Sequence, residues 1–222
     1  MENLAWNNPM VVFSDFDGTI AHPNTLNHLT EVFAGVAFRR EIGRKLAEGE
    51  LSLCEGIRLE VGAIRGSVDD VLKIVKRDVA IDETFITFAR WCRENGTPLT
   101  VLSNGMQEVI ESILAPYDLN SVRILANQVQ IVNSHWDLRF RDDSEWGHDK
   151  GAVIREAKTA GQTTVFIGDG LSDQGAAVEA DLVFAKAGLA RFCTAEGIPF
   201  EEFENFSQVL ESLKRKLSSI CP

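Results

Sequence analysis

The chain has 222 residues, 45% of them hydrophobic and 25% charged, a composition that excludes a disordered or fibrous protein. That length holds one well-packed α/β domain with a modest insertion, and is short for two independent domains. The formal net charge of -11 sets an acidic surface against nucleic-acid phosphates and anionic lipid, so neither is an expected partner.

Met1 to Pro9 lacks a basic segment followed by an apolar run, so no secretory signal is expected. No apolar stretch approaches membrane-spanning length. Cys54, Cys92, Cys193 and Cys221 have no CxxC spacing. They read as reduced thiols of a cytoplasmic protein, without a zinc site.

The first element is Met10-Val-Val-Phe-Ser14, a short β-branched and aromatic run that reads as a buried strand. It feeds the polar turn Asp15-Phe-Asp-Gly-Thr19. From about Pro23 to Asp82 the pattern is helical, with apolar faces at Leu26, Leu29 and Phe33, at Leu53, Ile57, Val61 and Ile64, and at Val68, Val71, Leu72 and Val75. A helix over Glu83 to Asn95 ends at Gly96. A strand over Pro98 to Leu102 precedes a helix marked by Met106, Val109, Ile110 and Ile113. Val122 to Val132 and Trp136 to Phe140 read as extended segments that form a hairpin around Asn133-Ser134. Next come a helix after Lys150, a strand at Thr163 to Ile167, a helix from Ser172 and a short strand at Asp181 to Phe184. Phe206, Val209, Leu210, Leu213 and Leu217 mark a closing amphipathic helix. The alternation predicts an α/β fold: a doubly wound, mostly parallel sheet with a small helical cap inserted after its first strand. The expected core is 1–21 and 83–222, and the expected cap 22–82.

Three turns carry candidate chemistry. Asp15 and Asp17 are two apart, so in extended chain both project into one crevice, where their repulsion calls for a cation. Ser103-Asn104-Gly105 follows a strand and precedes a helix, whose free amides suit phosphate oxygens. Gly168-Asp169-Gly-Leu-Ser-Asp173 puts Asp169 between glycines at a sheet edge. Asp15, the main chain of Asp17 and Asp169 make an oxygen-rich site that fits Mg²⁺. Lys150, at a helix start, is the fixed cation that a crowd of carboxylates around a phosphate dianion needs.

In that order, Asp15-Phe-Asp-Gly-Thr19, Ser103, Lys150 and Gly168-Asp-Gly-Leu-Ser-Asp173 resemble the four motifs of the haloacid-dehalogenase-like superfamily. The helical insert resembles the cap of its phosphoserine-phosphatase-like branch. Trp146-Gly-His-Asp-Lys-Gly151 and Ala180-Asp-Leu-Val-Phe-Ala185 look closest to methionine-salvage enolphosphate phosphatases and fungal polyol phosphatases. The resemblance implies a Mg²⁺-dependent phosphatase of a small phosphorylated metabolite. Asp15 is then the nucleophile, Asp17 the general acid and base, and Thr19, Ser103, Asn104, Gly105 and Lys150 hold the phosphoryl group. Asp15, Asp17 and Asp169 bind the metal, with Asp173 behind them.

Where phosphoserine phosphatase carries a glutamate for the substrate ammonium, this chain has Asn24. At the arginine for the substrate carboxylate it has Glu60. A carboxylate facing a carboxylate is repulsive, so a polyol or sugar phosphate is expected over phosphoserine or the methionine-salvage enol ester. A phosphotransferase or mutase keeping the same intermediate, and a non-catalytic phosphate-binding module on the same fold, are the competing readings. His22 and His148 read as surface or structural histidines, and Trp6, Trp91, Trp136 and Trp146 as core filler with no nucleic-acid stacking pattern. The sequence gives no oligomeric state.

Overall fold

A computed structural model describes residues 8–132 and 135–218. Strand β1 (Met10–Ser14) is buried on both faces, which is why it reads as an unbroken apolar run. After β2 (Ala21–His22) the chain makes four helices: α1 (Thr25–Ala34), α2 (Val36–Ala47), α3 (Leu53–Gly62) and α4 (Val68–Asp78). Ser52 and Ser67 start the last two, each hydroxyl accepting from the backbone amide three residues on. The chain returns through β3 (Ala80–Ile81), antiparallel to β2, so the helical insert leaves and re-enters the molecule through one two-stranded neck.

The remainder alternates. Helix α5 (Glu83–Glu94) precedes β4 (Leu99–Met106), α6 (Gln107–Leu114) and the pair β5 (Arg123–Val132) and β6 (His135–Arg139). Then follow α7 (Lys150–Thr159), β7 (Thr163–Gly168), α8 (Gln174–Glu179), β8 (Leu182–Ala185), α9 (Ala187–Glu196), β9 (Glu201–Glu202) and α10 (Phe206–Ser218). Among the described residues the main sheet is ordered β6-β5-β4-β1-β7-β8-β9. Only β6 is antiparallel, against β5. Strand order reverses at β1, and open sheets of this kind bind ligands beyond the carboxyl ends of the strands at that point.

Alternate residues of each strand serve opposite faces. Val12, Val101 and Val165 join Phe85, Phe88 and Phe206 from α5 and α10 on one side. Val11, Phe13 and Phe166 meet Ile154, Ala157, Ala176 and Leu189 from α7, α8 and α9 on the other. Phe85 and Phe206 meet edge to face with ring centroids 5.0 Å apart. Each such fully buried ring contributes about 1.5–3 kcal/mol. The insert is tied down as well: Trp136 Nε1 on β6 donates to the Gly66 carbonyl over 3.0 Å. Trp136 is thus core with a satisfied N–H.

Several local expectations change. β4 runs on through Ser103, Asn104 and Gly105 to Met106, with a register shift against β5 after Leu102. The second turn is therefore an irregular strand end, and α6 begins only at Gln107. The helix expected from Ser172 opens as a single 3₁₀ turn, Leu171–Asp173. Strands β2, β3 and β9 are each two residues long, too short for any periodicity to register. Cys54, Cys92 and Cys193 are free thiols. Trp6, Cys221 and the Asn133-Ser134 turn lie outside the described residues. No helix among the described residues is long and apolar enough to cross a membrane.

Candidate active site

The carboxyl ends of three adjacent strands supply the site. Asp15 follows β1, Ser103 to Gly105 close β4, and Asp169 follows β7. Parallel pairing of Ser14 with Val101 and with Ile167 brings these ends level. Helix α7 brings the fourth component. Asp149 caps it by accepting from the Ala152 amide, which leaves Lys150 as its first residue, directed at the sheet.

Lys150 Nζ donates to Asp15 Oδ1 over 2.6 Å and to Asp173 Oδ1 over 2.7 Å. Its third contact is Ser172 Oγ at 3.4 Å. The lysine side chain has no solvent exposure, and the two carboxylates have 5% and 0%. Burial pulls the ammonium toward losing its proton, but the charges of Asp15 and Asp173 override it and hold Lys150 protonated above its ordinary range. The other Asp173 oxygen, Oδ2, accepts from the amides of Asp169 and Gly170, both at 2.9 Å. Asp173 is thereby fully committed to holding its neighbours.

Asp15, Asp169 and Asp173 each place a carboxylate oxygen within 4.8 Å of the others. Burial first, then the charge of Asp173, raises the Asp15 carboxyl well above the carboxylate range, against the pull of Lys150. The same two causes push Asp169 up to about 6. Both shifts mark a site short of positive charge. Asp15 Oδ1 is taken by Lys150 and Asp169 Oδ1 by the Thr19 hydroxyl, at 3.1 Å. Among the described residues no donor reaches either Oδ2. Two free carboxylate oxygens in a carboxylate-rich, charge-deficient crevice fit a small hard cation such as Mg²⁺. The Asp17 side chain stands outside this group, because its Oδ1 accepts from the Thr25 amide at 2.6 Å. Any part Asp17 takes at a cation falls to its main-chain carbonyl.

Glycines make room for this crowding. Gly18 has φ +88, and a Cβ there would strike the Asp169 carboxylate. A Cβ on Gly105 would lie 2.8 Å from Asp17 Oδ2. The Gly-Thr after the second aspartate and the Gly after Asn104 are thus conditions of the site's geometry as well as turn formers.

One cavity of about 520 Å³ lies between the sheet edge and the insert. Asp15, Asp17, Ser103, Asn104, Gly105 and Asp169 line it from below, and Asn24, Asn27, Arg39 and Glu60 from above, with Leu26, Leu46, Leu53 and Ile57 between. Burial raises the Asp17 carboxyl, with the Thr25 hydrogen bond opposing. Ser103 Oγ accepts from the Gly105 amide at 3.0 Å, leaving the hydroxyl proton to be donated.

Some predicted roles change. The Thr19 hydroxyl is spent on Asp169, and Thr19 is fully buried away from the cavity lining, so it steadies a carboxylate instead of holding a phosphoryl oxygen. The Asn104 amide nitrogen donates to the carbonyls of Trp146 at 2.7 Å and His148 at 3.3 Å. That side-chain nitrogen is spent, and the part expected of Asn104 at a phosphate falls to its main-chain amide. Lys150 contacts the wall of the cavity through Asp15 without lining it. Asn24 faces the cavity, but its side-chain oxygen caps α1 through the Asn27 amide. Glu60 does line the cavity, beside Arg39, whose Nε lies 3.1 Å from Glu60 Oε1. Burial pushes the Glu60 carboxyl up to about 7 despite Arg39, with nearby Asp17 adding to the rise.

Arg39 and Lys186 were not anticipated. Lys186 Nζ donates to the Thr19 carbonyl at 3.2 Å, 3.5 Å from His22 Nε2, and so braces the first catalytic loop from behind. His148 is buried, its Nδ1 on the Ser103 carbonyl at 3.0 Å, and burial pulls it down to about 4. It is a neutral structural ring.

A model of the haloacid dehalogenase-like hydrolases matches residues 12–177. Pdp3-interacting factor 1 of Schizosaccharomyces pombe is 32% identical, over 96% of this chain and 98% of its own. Polyol phosphate phosphatase PYP1 of Saccharomyces cerevisiae is 31% identical, over 94% of each. The 2-hydroxy-3-keto-5-methylthiopentenyl-1-phosphate phosphatase of Brevibacillus brevis is 26% identical, over 93% of this chain and 96% of its own. Among solved structures, a substrate-bound phosphoserine phosphatase superposes with a TM-score of 0.72 at 21% identity, over 92% of this chain and 98% of that one. That likeness is one of fold.

Proposed function

We propose that this chain, which belongs to the haloacid dehalogenase-like hydrolase family, is a Mg²⁺-dependent phosphatase of small phosphorylated metabolites. Polyol or sugar phosphates are its preferred substrates. Residues 22–82 serve as a cap over a core of 1–21 and 83–222, and the reduced state of the described cysteines suits a cytoplasmic setting. The observation that carries the reading is the buried Lys150 ammonium shared by Asp15 and Asp173, with the second Asp15 oxygen left free in the cavity.

One carboxylate oxygen of Asp15 attacks phosphorus while the other stays toward the cation site, and the bond to the leaving alkoxide oxygen breaks. Asp17, whose carboxyl burial keeps easier to protonate, gives that oxygen its proton. The product is an alcohol and an acyl phosphate on Asp15. Asp17, now a carboxylate, takes a proton from water as the water attacks phosphorus. Inorganic phosphate leaves and Asp15 is restored. Lys150 aims the nucleophile and pulls its carboxyl toward ionisation, against burial and the charge of Asp173, and Asp173 keeps Lys150 and the Asp169 loop in place. The Ser103 hydroxyl donates to a phosphoryl oxygen. Asp15, Asp169 and the Asp17 carbonyl would hold the Mg²⁺, which supplies charge neutralisation to the phosphoryl oxygens when bound.

The substrate preference draws on the whole-length similarity to a polyol phosphate phosphatase and on Glu60 lining the cavity with its charge paired to Arg39, an arrangement that leaves a substrate carboxylate without a counter-ion of its own there. Hydrolysis of p-nitrophenyl phosphate with and without EDTA, beside Asp15→Asn, tests the reading. Activity that survives either treatment overturns it.

A further inference from the structure

A cation shared by the turn after β1 and the turn after β7 needs those two turns at a fixed spacing, because Mg²⁺ demands near-ideal octahedral geometry. Lys150 and Asp173 supply one tie between them. The junction of β8 and α9 supplies another, and the phosphate chemistry does not use it.

Lys186, at that junction, reaches both turns. Its main-chain N–H donates to the Gly168 carbonyl at 3.2 Å, and the Leu189 N–H donates to the Asp169 carbonyl at 2.8 Å. Its side chain goes the other way, Nζ donating to the Thr19 carbonyl at 3.2 Å. Thr19 closes the circuit, since its hydroxyl donates to Asp169 Oδ1 at 3.1 Å. The path from Lys186 through Gly168, Asp169 and Thr19 thus returns to Lys186. The Phe203 ring backs the ammonium, 5.0 Å from ring centroid to Nζ. Between the two grips the chain turns at Ala187, whose φ of +48 is left-handed backbone on a residue with a Cβ. Such a conformation persists where its surroundings over-determine it, and it clusters at functional sites.

Lys186 does not line the active-site cavity, yet its charge is felt there. Burial leads the rise of the Asp169 carboxyl, and Lys186 is among the charges opposing that rise. Its two possible parts predict opposite signs. As a charge alone, an ammonium beside a cation site repels the metal, so removing it tightens binding. As a tie between two turns, it preserves the ligand geometry, so removing it weakens binding.

Resting on the Mg²⁺-dependent phosphatase reading above, we propose that Lys186 is a positioning residue of the cation site: it locks Thr19 to the Asp169 turn, and the geometry it preserves outweighs the repulsion between its ammonium and the metal. Lys186 acts through Thr19, and Thr19 acts through the Asp169 carboxylate.

The test is calorimetric titration of Mg²⁺ into the full chain without substrate, beside steady-state hydrolysis of p-nitrophenyl phosphate. The proteins are the unaltered chain, Lys186→Met, Lys186→Arg, Thr19→Val and the Lys186→Met/Thr19→Val double variant. Methionine keeps an apolar stem over the Phe203 ring and removes both charge and donor. Lys186→Met is expected to weaken Mg²⁺ binding by about tenfold, and to lower kcat less once the metal is saturating. Lys186→Arg keeps the charge and an N–H donor and restores most of the affinity. Thr19→Val opens the same circuit at its other link without emptying the Lys186 site, so it weakens binding in the same direction. The double variant is no weaker than the worse single one, because the two changes break one circuit. Mg²⁺ binding that is unchanged or tighter in either single variant, or losses that add in full, overturns the proposal alone. If the unaltered protein neither binds Mg²⁺ nor hydrolyses p-nitrophenyl phosphate, the phosphatase reading falls and the proposal with it.

Discussion

Lys150 and Asp15 stand 135 residues apart in sequence and 2.6 Å apart in the fold. The ammonium that binds Asp15 also binds Asp173, whose other oxygen holds the amides of Asp169 and Gly170. A single buried cation thus couples three of the four sequence segments that converge here.

Removing that cation leaves two buried carboxylates facing each other. Lys150→Met is expected to lower unfolding stability by about 3–5 kcal/mol, the usual cost of stripping one partner from a buried pair, and to abolish turnover. Urea unfolding without metal checks the first point. A loss below about 1 kcal/mol, the scale of an exposed pair, would mean the ammonium is not confined as described.

Asp17 is expected to matter in both half-reactions, but unequally across substrates. A nitrophenolate leaves without help, whereas an alkoxide needs the proton. Asp17→Asn should therefore still release nitrophenol in a burst of one equivalent per enzyme, followed by a steady rate about 10²–10⁴-fold below the unaltered protein. Alkyl esters should give no burst. Rapid-mixing absorbance measurements distinguish this from an unaltered steady rate.

Asp173 acts through what it holds. Asp173→Asn keeps the shape but weakens the grip on Lys150 and the 169–170 amides. The Mg²⁺ concentration for half-maximal activity should rise about 10–100-fold, as for other outer-shell partners of metal ligands. EDTA should abolish activity in both proteins, and excess Mg²⁺ should restore it. The metal should also raise the melting temperature of the unaltered protein, since it binds only the folded state.

Glu60 carries a pH signature. Its carboxyl lies near 7 in the fold against an ordinary 4.5, so between those values the folded protein holds the proton more tightly than the unfolded chain. The stability this gives is fully present below about 4.5 and is lost as pH rises through about 7. Its size is on the order of a few kcal/mol. Glu60→Gln does not titrate, so the difference in stability between the two proteins should change across that window and be flat above it. Parallel curves from pH 4 to 8 would contradict the burial of this carboxyl.

Strong local rules made much of this visible in the sequence. Met10–Ser14, Pro98–Leu102 and Thr163–Ile167 are short segments rich in β-branched and apolar residues that end in polar turns, so both the sheet and its functional edge could be read. Asp15, Asp17, Ser103, Asp169 and the helix-start Lys150 sit at those ends, and all meet at one place. What stayed hidden depends on side-chain direction. The Thr19 hydroxyl has the right type for phosphate but is spent on Asp169. Arg39 lies on α2 without a motif to mark it, and the packing of α1, α2 and α3 brings it to Glu60 and Asn27. Lys186 finds Thr19 across the sheet edge, a contact no spacing rule reports.

The central claim is covalent: phosphorus is transferred to Asp15 before water. Rapid quenching of Asp17→Asn with p-nitrophenyl phosphate and Mg²⁺, followed by mass spectrometry of the peptide spanning Asp15, tests it most directly. The account predicts one phosphoryl group on Asp15, absent from an Asp15→Asn/Asp17→Asn double variant. Nitrophenol release in a full burst with no phosphoryl group on that peptide would contradict it.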